Sequence, residues 1–324
     1  MTRVLDVHEL RISFTAPDGR RFHPVDGVSF GLERGETLAL VGESGSGKSL
    51  TSLALLRLVP PPGRIDPGSS IRLGDTDVMA LEGEALRRIR GRRIGMIFQD
   101  PMTSLNPVFT VGDQIIEGIR AHLRMSKADA RERARGLLQE VGIPDPGDRL
   151  GAYPHQLSGG MRQRVMIAIA LSSEPEILVA DEPTTALDVT VQAQILEVLD
   201  QLRRRRGMAI LLITHDLGIV AGRADRVAVM YAGQIVEEAS TAELFARPSH
   251  PYTQGLFASV PRISGPIQRL TPIGGTVPPA TAWPTGCRFR PRCPQAFEKS
   301  EREPELLSVG PGHRMRCWLA EEPR

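Results

Sequence analysis

The sequence predicts an α/β fold in which a mostly parallel β-sheet is covered by helices. Short apolar runs, such as residues 177–180 and 209–214, alternate with segments of helical periodicity, a pattern typical of parallel sheets. The chain has 324 residues, enough for two domains or for one domain with an appendage. We therefore expect an α/β core followed by a further segment.

The N-terminal part predicts an antiparallel hairpin and then a strand, a loop and a helix. Apolar residues alternate at period two in residues 10–14 and 28–32, and Asp18-Gly19 supplies a turn between them. An apolar strand at 37–41 leads into a glycine-rich loop. Helical periodicity then runs from residue 49 to residue 58 and ends before three prolines.

The middle of the chain predicts a helical subdomain followed by alternating strands and helices. The composition is helical and charged from residue 111 to about residue 142, where Ser126 and Asp129 resemble a capping box. The expected helical subdomain spans about residues 100–157. The other expected elements are a strand at 94–98, helices at 159–173 and 191–206, and strands at 226–231 and 234–237.

The C-terminal quarter differs in composition, because 13 of the 26 prolines lie in residues 239–324. We expect little regular structure there. The predicted domains are a core at 1–238 and this C-terminal extension at 239–324.

Apolar stretches are far shorter than the roughly 18 residues of a membrane-spanning helix, and the first residues lack an apolar signal core, so a cytosolic location is expected. The net charge of +2 argues against nucleic-acid binding.

Residues 42–49 fit the phosphate-loop pattern G-x-x-x-x-G-K-[ST] between a strand and a helix. Glycines let the backbone N–H groups surround a phosphate, the lysine reaches the β- and γ-phosphates, and the final hydroxyl helps to hold Mg²⁺. The chain has three lysines among its 40 basic residues, and one of them occupies this loop. The nucleotide-binding candidates are Gly42, Glu43, Ser44, Gly45, Ser46, Gly47, Lys48, Ser49 and Leu50.

A second candidate group is the pair of carboxylates at the end of the apolar run 177–180. Asp181 is predicted to hold Mg²⁺ through water, and Glu182 to act as general base on the attacking water. A guanine-specific motif is excluded, because the single asparagine, Asn106, is followed by proline.

Leu157-Ser158-Gly159-Gly160-Met161 is similar to the signature motif of ABC-type ATPases. The resemblance continues in order with Gln99 (the Q-loop), Ala186-Leu187-Asp188 (the D-loop) and His215 (the switch histidine). It implies a P-loop NTPase with a RecA-like core that works as a sandwich dimer and uses ATP and Mg²⁺.

Particular roles follow from this resemblance. Ser158, Gly159 and Gly160 would contact the γ-phosphate of ATP held by the opposite subunit, and Gln99 would join Ser49 and Asp181 at Mg²⁺. His215 would orient Glu182 and water. Adenine would stack on Phe14 or on Phe22.

Three further segments, 99–107, 181–190 and 250–253, resemble the oligopeptide/dipeptide (and nickel) importer branch of that family. This resemblance implies a peripheral protein at the cytoplasmic face of the membrane. Its partners would be a second ATPase subunit (a paralogue or the same chain), two permease subunits that dock near residues 102–111, and indirectly an extracytoplasmic binding protein. Import of nickel, glutathione or another solute is an alternative, as is a soluble non-transport ABC ATPase.

The three cysteines form a separate group in the C-terminal extension. In the branch that the chain resembles, a C-x5-C-x6-C pattern and a later fourth cysteine are associated with an iron–sulfur cluster in some members. Here Cys287, Cys293 and Cys317 are present, and Ser300 stands at the remaining position. The open interpretations are a [4Fe-4S] cluster, zinc bound with His313, and three metal-free thiols.

Overall fold

The computed structural model describes residues 2–100, 104–185, 187–259 and 272–321. The chain divides into two compact units: Met1–Leu5, Leu32–Glu36 and Arg72–Ile213 form one, and Asp6–Gly31, Thr37–Ile71 and Thr214–Arg324 form the other. Among the described residues, no helix combines the length and the apolar character needed to span a membrane.

The first unit is built on three parallel strands. Strand β7 (Ile94–Ile97) pairs with β8 (Ile177–Asp181), and β8 pairs with β9 (Ala209–Thr214), with Ile177 opposite both Ile94 and Ala209. Residues of β8 and β9 are buried along their whole length, as expected for parallel strands covered on both faces. The predicted parallel sheet is confirmed here.

The helices of this unit begin at capping residues that the sequence supplies. Thr110 caps α3 (Val111–His122) and Ser126 caps α4 (Lys127–Glu140), each accepting a hydrogen bond from the backbone three residues on. The capping-box prediction at Ser126 is therefore confirmed as an N-cap. The remaining elements are β6 (Thr76–Asp77), α2 (Gly83–Arg92), α5 (Pro146–Arg149), α6 (Gly159–Leu171) and α7 (Val189–Arg206).

Most of the predicted N-terminal hairpin, and the strand that precedes the phosphate loop, belong to the second unit. Strands β1 (Arg3–Thr15) and β2 (Arg21–Glu33) are neighbours joined by a turn. Strand β3 (Thr37–Val41) is followed by the loop and by α1 (Lys48–Leu55), which ends three residues before the predicted position. Two short strands follow, β4 (Arg64–Ile65) and β5 (Ser70–Leu73).

The C-terminal extension contains more regular structure than the proline content predicts. Strand β3 pairs in parallel with β10 (Arg226–Tyr231), which pairs with β11 (Gln234–Ser240). Strand β13 (His313–Met315) then pairs with β11, and β12 (Leu307–Gly310) pairs with β13. Two helices of the extension are α9 (Thr241–Ala246) and α10 (Pro251–Ala258), and α8 (Leu217–Val220) precedes the extension in the second unit. The prediction of sparse structure was therefore wrong for 307–315, because two strand segments of three and four residues are too short to give a period-two pattern.

Candidate nucleotide-binding site

The phosphate loop connects β3 to α1, as the sequence predicts. Its glycines lie where a side chain would not fit: a Cβ at Gly42 would approach the Met230 carbonyl oxygen to 2.1 Å, and a Cβ at Gly47 would approach the Pro24 carbonyl oxygen to 2.6 Å. Gly47 also has a φ of +102°, in the region that favours glycine. Close contacts at Gly42 and at Gly47 thus fix the path of the loop.

Lys48 is the first residue of α1 and is 5% exposed. Its ammonium group donates to the carbonyl oxygens of Gly42 at 2.8 Å and Glu43 at 3.0 Å, and it lies 3.4 Å from the Ser46 hydroxyl. The lysine therefore lies across the loop with its charge inside the turn. A loop of this kind at a helix N-terminus is an anion-binding arrangement.

The two predicted carboxylates lie at the end of β8 in the first unit. Asp181 is 4% exposed. Glu182 has a φ of +46°, an uncommon conformation for a residue other than glycine, which is frequent at functional sites. Its backbone N–H donates to the Ile213 carbonyl oxygen at 2.9 Å. This bond holds the residue against the end of β9.

The side chain of Glu182 is bonded to the predicted Q-loop residue. Gln99 Nε2 donates to Glu182 Oε2 at 3.1 Å, and the hydroxyl of Thr185 donates to the same oxygen at 2.8 Å. Gln99 lies 83 residues away in sequence. Two predicted site residues are thus brought together, and a carboxylate oxygen is held in a defined position.

Ser158 is the N-cap of α6, with its hydroxyl accepting from the Met161 N–H at 3.3 Å. A Cβ on Gly160 would lie 2.6 Å from Val191 Cγ1, so glycine allows the start of α6 to pack against α7. Asp188 caps α7 by accepting from Val191 N–H at 2.9 Å. The N-terminal N–H groups of a 13-residue helix form an anion-binding end.

Other predicted residues have the following positions. His215 is exposed after the end of β9. Phe14 and Phe22 are half-buried and stacked, with ring centroids 6.0 Å apart. Ala186 of the predicted D-loop, and residues 102 and 103 of the predicted docking segment, lie outside the described residues.

The cysteine group of the extension is brought together as the sequence pattern predicts. Cys287, Cys293, Cys317 and Ser300 line the same cavity. His313 does not line it; its Nε2 is 2.7 Å from Glu237 Oε1. The zinc interpretation with His313 is therefore not supported, because the imidazole is bound to a buried carboxylate.

A [4Fe-4S] cluster does not fit the cavity that these residues line. Its volume is about 10 Å³, close to the space of a single water. Burial raises the pKa of all three thiols, that of Cys317 to about 11, so they are protonated near neutral pH in the metal-free protein. The Ser300 hydroxyl already accepts from Phe297 N–H at 3.2 Å. Among the described residues, no group of three metal-binding side chains has a geometry suited to a metal ion.

The phosphate loop and the parallel strands define the class: a nucleotide-binding protein of the phosphate-loop type. Residues 25–185 match the family model "ABC transporter", and residues 236–299 match "Oligopeptide/dipeptide transporter, C-terminal region". The chain is similar to the oligopeptide transport ATP-binding protein AppD of Bacillus subtilis, with 52% identity over 99% of the chain and 98% of the relative. It is 50% identical to the dipeptide transport ATP-binding protein DppD of the same organism, over 99% and 96%.

A solved structure agrees with these relatives. The dimeric post-hydrolysis structure of the ATP-binding cassette MJ0796 bound to ADP and Pi has a TM-score of 0.65 and 26% identity, and the match covers 73% of this chain and 98% of that one. The chain belongs to the ABC transporter family, as an ATPase subunit of its oligopeptide/dipeptide branch. The predicted family, fold class and enzyme class are confirmed.

Proposed function

We propose that this subunit hydrolyses ATP to drive peptide import through a complex with two membrane permeases and a second ATPase subunit, at the cytoplasmic face of the membrane. An extracytoplasmic binding protein delivers the peptide. Family membership over nearly the whole chain supports this proposal. The predicted division into a nucleotide-binding domain at 1–238, a helical subdomain at about 100–157 and an extension at 239–324 remains part of the proposal.

The phosphate loop (residues 42–49) binds the phosphates of MgATP in this proposal. Lys48 contacts the β- and γ-phosphates, and Leu50 follows in α1. Ser49, Asp181 and Gln99 hold Mg²⁺ directly or through water, because hydroxyl, carboxylate and amide oxygens suit this ion. Phe14, stacked with Phe22, supplies an aromatic face for adenine.

Glu182 acts as the general base in this mechanism. Its carboxylate accepts a proton from the attacking water, and Gln99 fixes its orientation through the 3.1 Å hydrogen bond. This hydrogen bond is the observation that carries the catalytic assignment, because it connects two residues predicted independently to act on ATP. His215 contacts the γ-phosphate and helps to position the water.

The helix end formed by Ser158, Gly159 and Gly160 binds the γ-phosphate held by the second ATPase subunit, and Asp188 completes that contact. The dimeric form of the cassette MJ0796 bound to ADP and Pi is consistent with ATP turnover in a dimer. Loss of the γ-phosphate on hydrolysis removes the bridge between the two subunits. The dimer then reopens, and this cycle drives transport.

The permease partner would contact an exposed apolar group after the Q-loop. Val108 is 71% exposed and Phe109 is 52% exposed, and both precede α3. Exposed apolar side chains next to each other are typical of protein contacts. We infer that the coupling helix of a permease covers them.

The test is Glu182→Gln in the complex reconstituted with its permeases, binding protein and a labelled peptide. We expect retained ATP binding, a trapped closed dimer and loss of peptide-stimulated hydrolysis by at least about 100-fold. Glu132→Gln is the matched control, because Glu132 is an exposed glutamate bonded to Arg135 on α4. Hydrolysis by Glu182→Gln at the parental rate would exclude Glu182 as the base. Stimulation of ATP hydrolysis by a nickel complex or glutathione, but by no peptide, would show that the cargo is not a peptide.

A further inference from the structure

The C-terminal extension contacts the phosphate loop at Glu43, the loop's second residue. Arg292 donates from Nη1 to Glu43 Oε2 at 2.6 Å and from Nη2 to Oε1 at 3.0 Å. The two side chains are 249 positions apart in sequence, and both belong to the second unit. Two parallel hydrogen bonds between a guanidinium and a carboxylate fix both groups in direction as well as in distance.

Arg292 is itself held rigidly, with a side chain that is 5% exposed. Its Nε donates to the Gly274 carbonyl oxygen at 2.8 Å, and Nη2 also donates to the Ile273 carbonyl oxygen at 3.4 Å. A longer contact of 3.5 Å joins Nη1 to the Tyr231 hydroxyl. Together with the bonds to Glu43, these contacts match the five N–H donors of a guanidinium.

A second residue of the extension holds the backbone of Glu43. The hydroxyl of Tyr252, in α10, accepts from Glu43 N–H at 2.9 Å. Tyr252 is fully buried, and its ring centroid lies 4.6 Å from that of Tyr231 and 5.4 Å from that of Phe289. Because the ring is packed on two sides, its hydroxyl cannot follow the loop if the loop moves.

Glu43 is in turn in contact with the lysine of the loop. Its carbonyl oxygen accepts from Lys48 Nζ at 3.0 Å and from Ser46 N–H at 3.3 Å. The extension therefore fixes the side chain and the N–H of a residue whose carbonyl oxygen positions Lys48. Arg292 also offsets the negative charge of Glu43, which would otherwise stand unopposed beside the phosphates of ATP.

We propose that Arg292 and Tyr252 are positioning residues for the phosphate loop, through which the C-terminal extension sets the affinity for MgATP. Neither residue needs to touch the nucleotide; they act through Glu43. This inference rests on the proposed role of residues 42–49 in binding ATP.

The first test is Arg292→Gln in the full chain assembled with its permeases, with ATP hydrolysis measured against MgATP concentration. We expect the KM for ATP to rise about tenfold, the effect of losing a hydrogen-bonded charge partner, while kcat stays within about twofold. Arg290→Gln is the matched control. Arg290 lies in the same short 3-10 turn and pairs with the exposed Glu301 at 3.3 Å, and its replacement should leave KM unchanged.

The second test separates positioning from folding. In the double variant Glu43→Gln/Arg292→Gln the unpaired carboxylate is gone, so KM should recover by at least about threefold relative to Arg292→Gln. Tyr252→Phe should raise KM and leave kcat unchanged, because this variant loses only the acceptor for Glu43 N–H. An Arg292→Gln variant with parental KM, or a double variant no better than the single one, would overturn the proposal.

Lys48→Ala distinguishes failure of this inference from failure of the proposed function. If Lys48→Ala loses MgATP binding while Arg292→Gln keeps the parental KM, the loop binds ATP and the inference alone is wrong. If Lys48→Ala binds MgATP as tightly as the parent, the proposed role of the loop fails. Thermal unfolding of each variant shows whether a change in its KM comes from loss of the fold.

Discussion

His250 gives the fold a sensitivity to acid that one substitution should remove. The residue is 1% exposed and is the N-cap of α10, with Nδ1 accepting from Tyr252 N–H at 3.0 Å. Burial lowers the pKa of His250 to about 3, and a hydrogen bond to the Arg316 backbone offsets this only in part. The imidazole is therefore neutral in the folded protein, whereas in the unfolded chain the pKa of a histidine is about 6.5.

The direction of the pH effect follows from this lowered pKa. Below about pH 6.5 the unfolded chain takes up a proton at His250 and the folded chain does not. Stability that is fully present above that pH is therefore lost as the pH falls toward 3. At pH 5.0 the difference of about 1.5 pH units corresponds to about 2 kcal/mol of unfolding free energy.

The assay is urea unfolding of the full chain at pH 7.5 and pH 5.0. His250→Asn keeps a side-chain oxygen that can cap α10 but has no group that titrates in this range. The parent should lose about 2 kcal/mol more than His250→Asn between the two pH values. The exposed His8, replaced in the same way, is the control. Equal pH dependence in the parent and in His250→Asn would refute the reasoning.

Two further predictions concern the lysine of the loop and the cysteines. Lys48→Arg should lower ATP turnover by at least about 100-fold although the charge is kept. The buried ammonium lies 2.8 and 3.0 Å from two loop carbonyl oxygens, and a planar guanidinium needs more space. Lys127→Arg is the control, and parental turnover of Lys48→Arg in an ATPase assay would contradict the prediction. Protein purified without oxygen should be colourless and free of iron and sulfide, because the cavity at Cys287, Cys293 and Cys317 is too small for a cluster; brown protein with iron and sulfide in near-equal amounts would contradict it.

Much of the nucleotide site could be predicted from the sequence, because its chemistry depends on short local patterns. Buried parallel strands appear as uninterrupted apolar runs, as in β8 and β9, and the phosphate loop is a contiguous motif between a strand and a helix. Capping residues such as Ser126 act on groups three residues away. Such features need no knowledge of which distant segments meet.

The contacts of the extension could not be predicted in this way, because they join residues far apart in sequence. Arg292 and Glu43 are 249 positions apart, and neither has a neighbour pattern that indicates the other. From the sequence alone, segment 250–253 shows only a resemblance to one branch of the family. The structure supplies physical roles for it: His250 caps α10, and Tyr252 bonds to the phosphate loop.

The high proline content of the extension indicates neither how many helices and strands it contains nor how many tertiary contacts it makes. Within the second unit, Val41 at the end of β3 shares one buried cluster with Tyr231, Tyr252 and Phe289. The fully buried carboxylate of Glu237 accepts from the N–H groups of residues 249 and 250 and contacts the imidazole of residue 313. Residue 238 therefore marks a change in composition, but the core of this unit contains residues from both sides of it. Since the same core supports the phosphate loop and the extension, a change in the extension that loosens this core should reach the loop through Glu43.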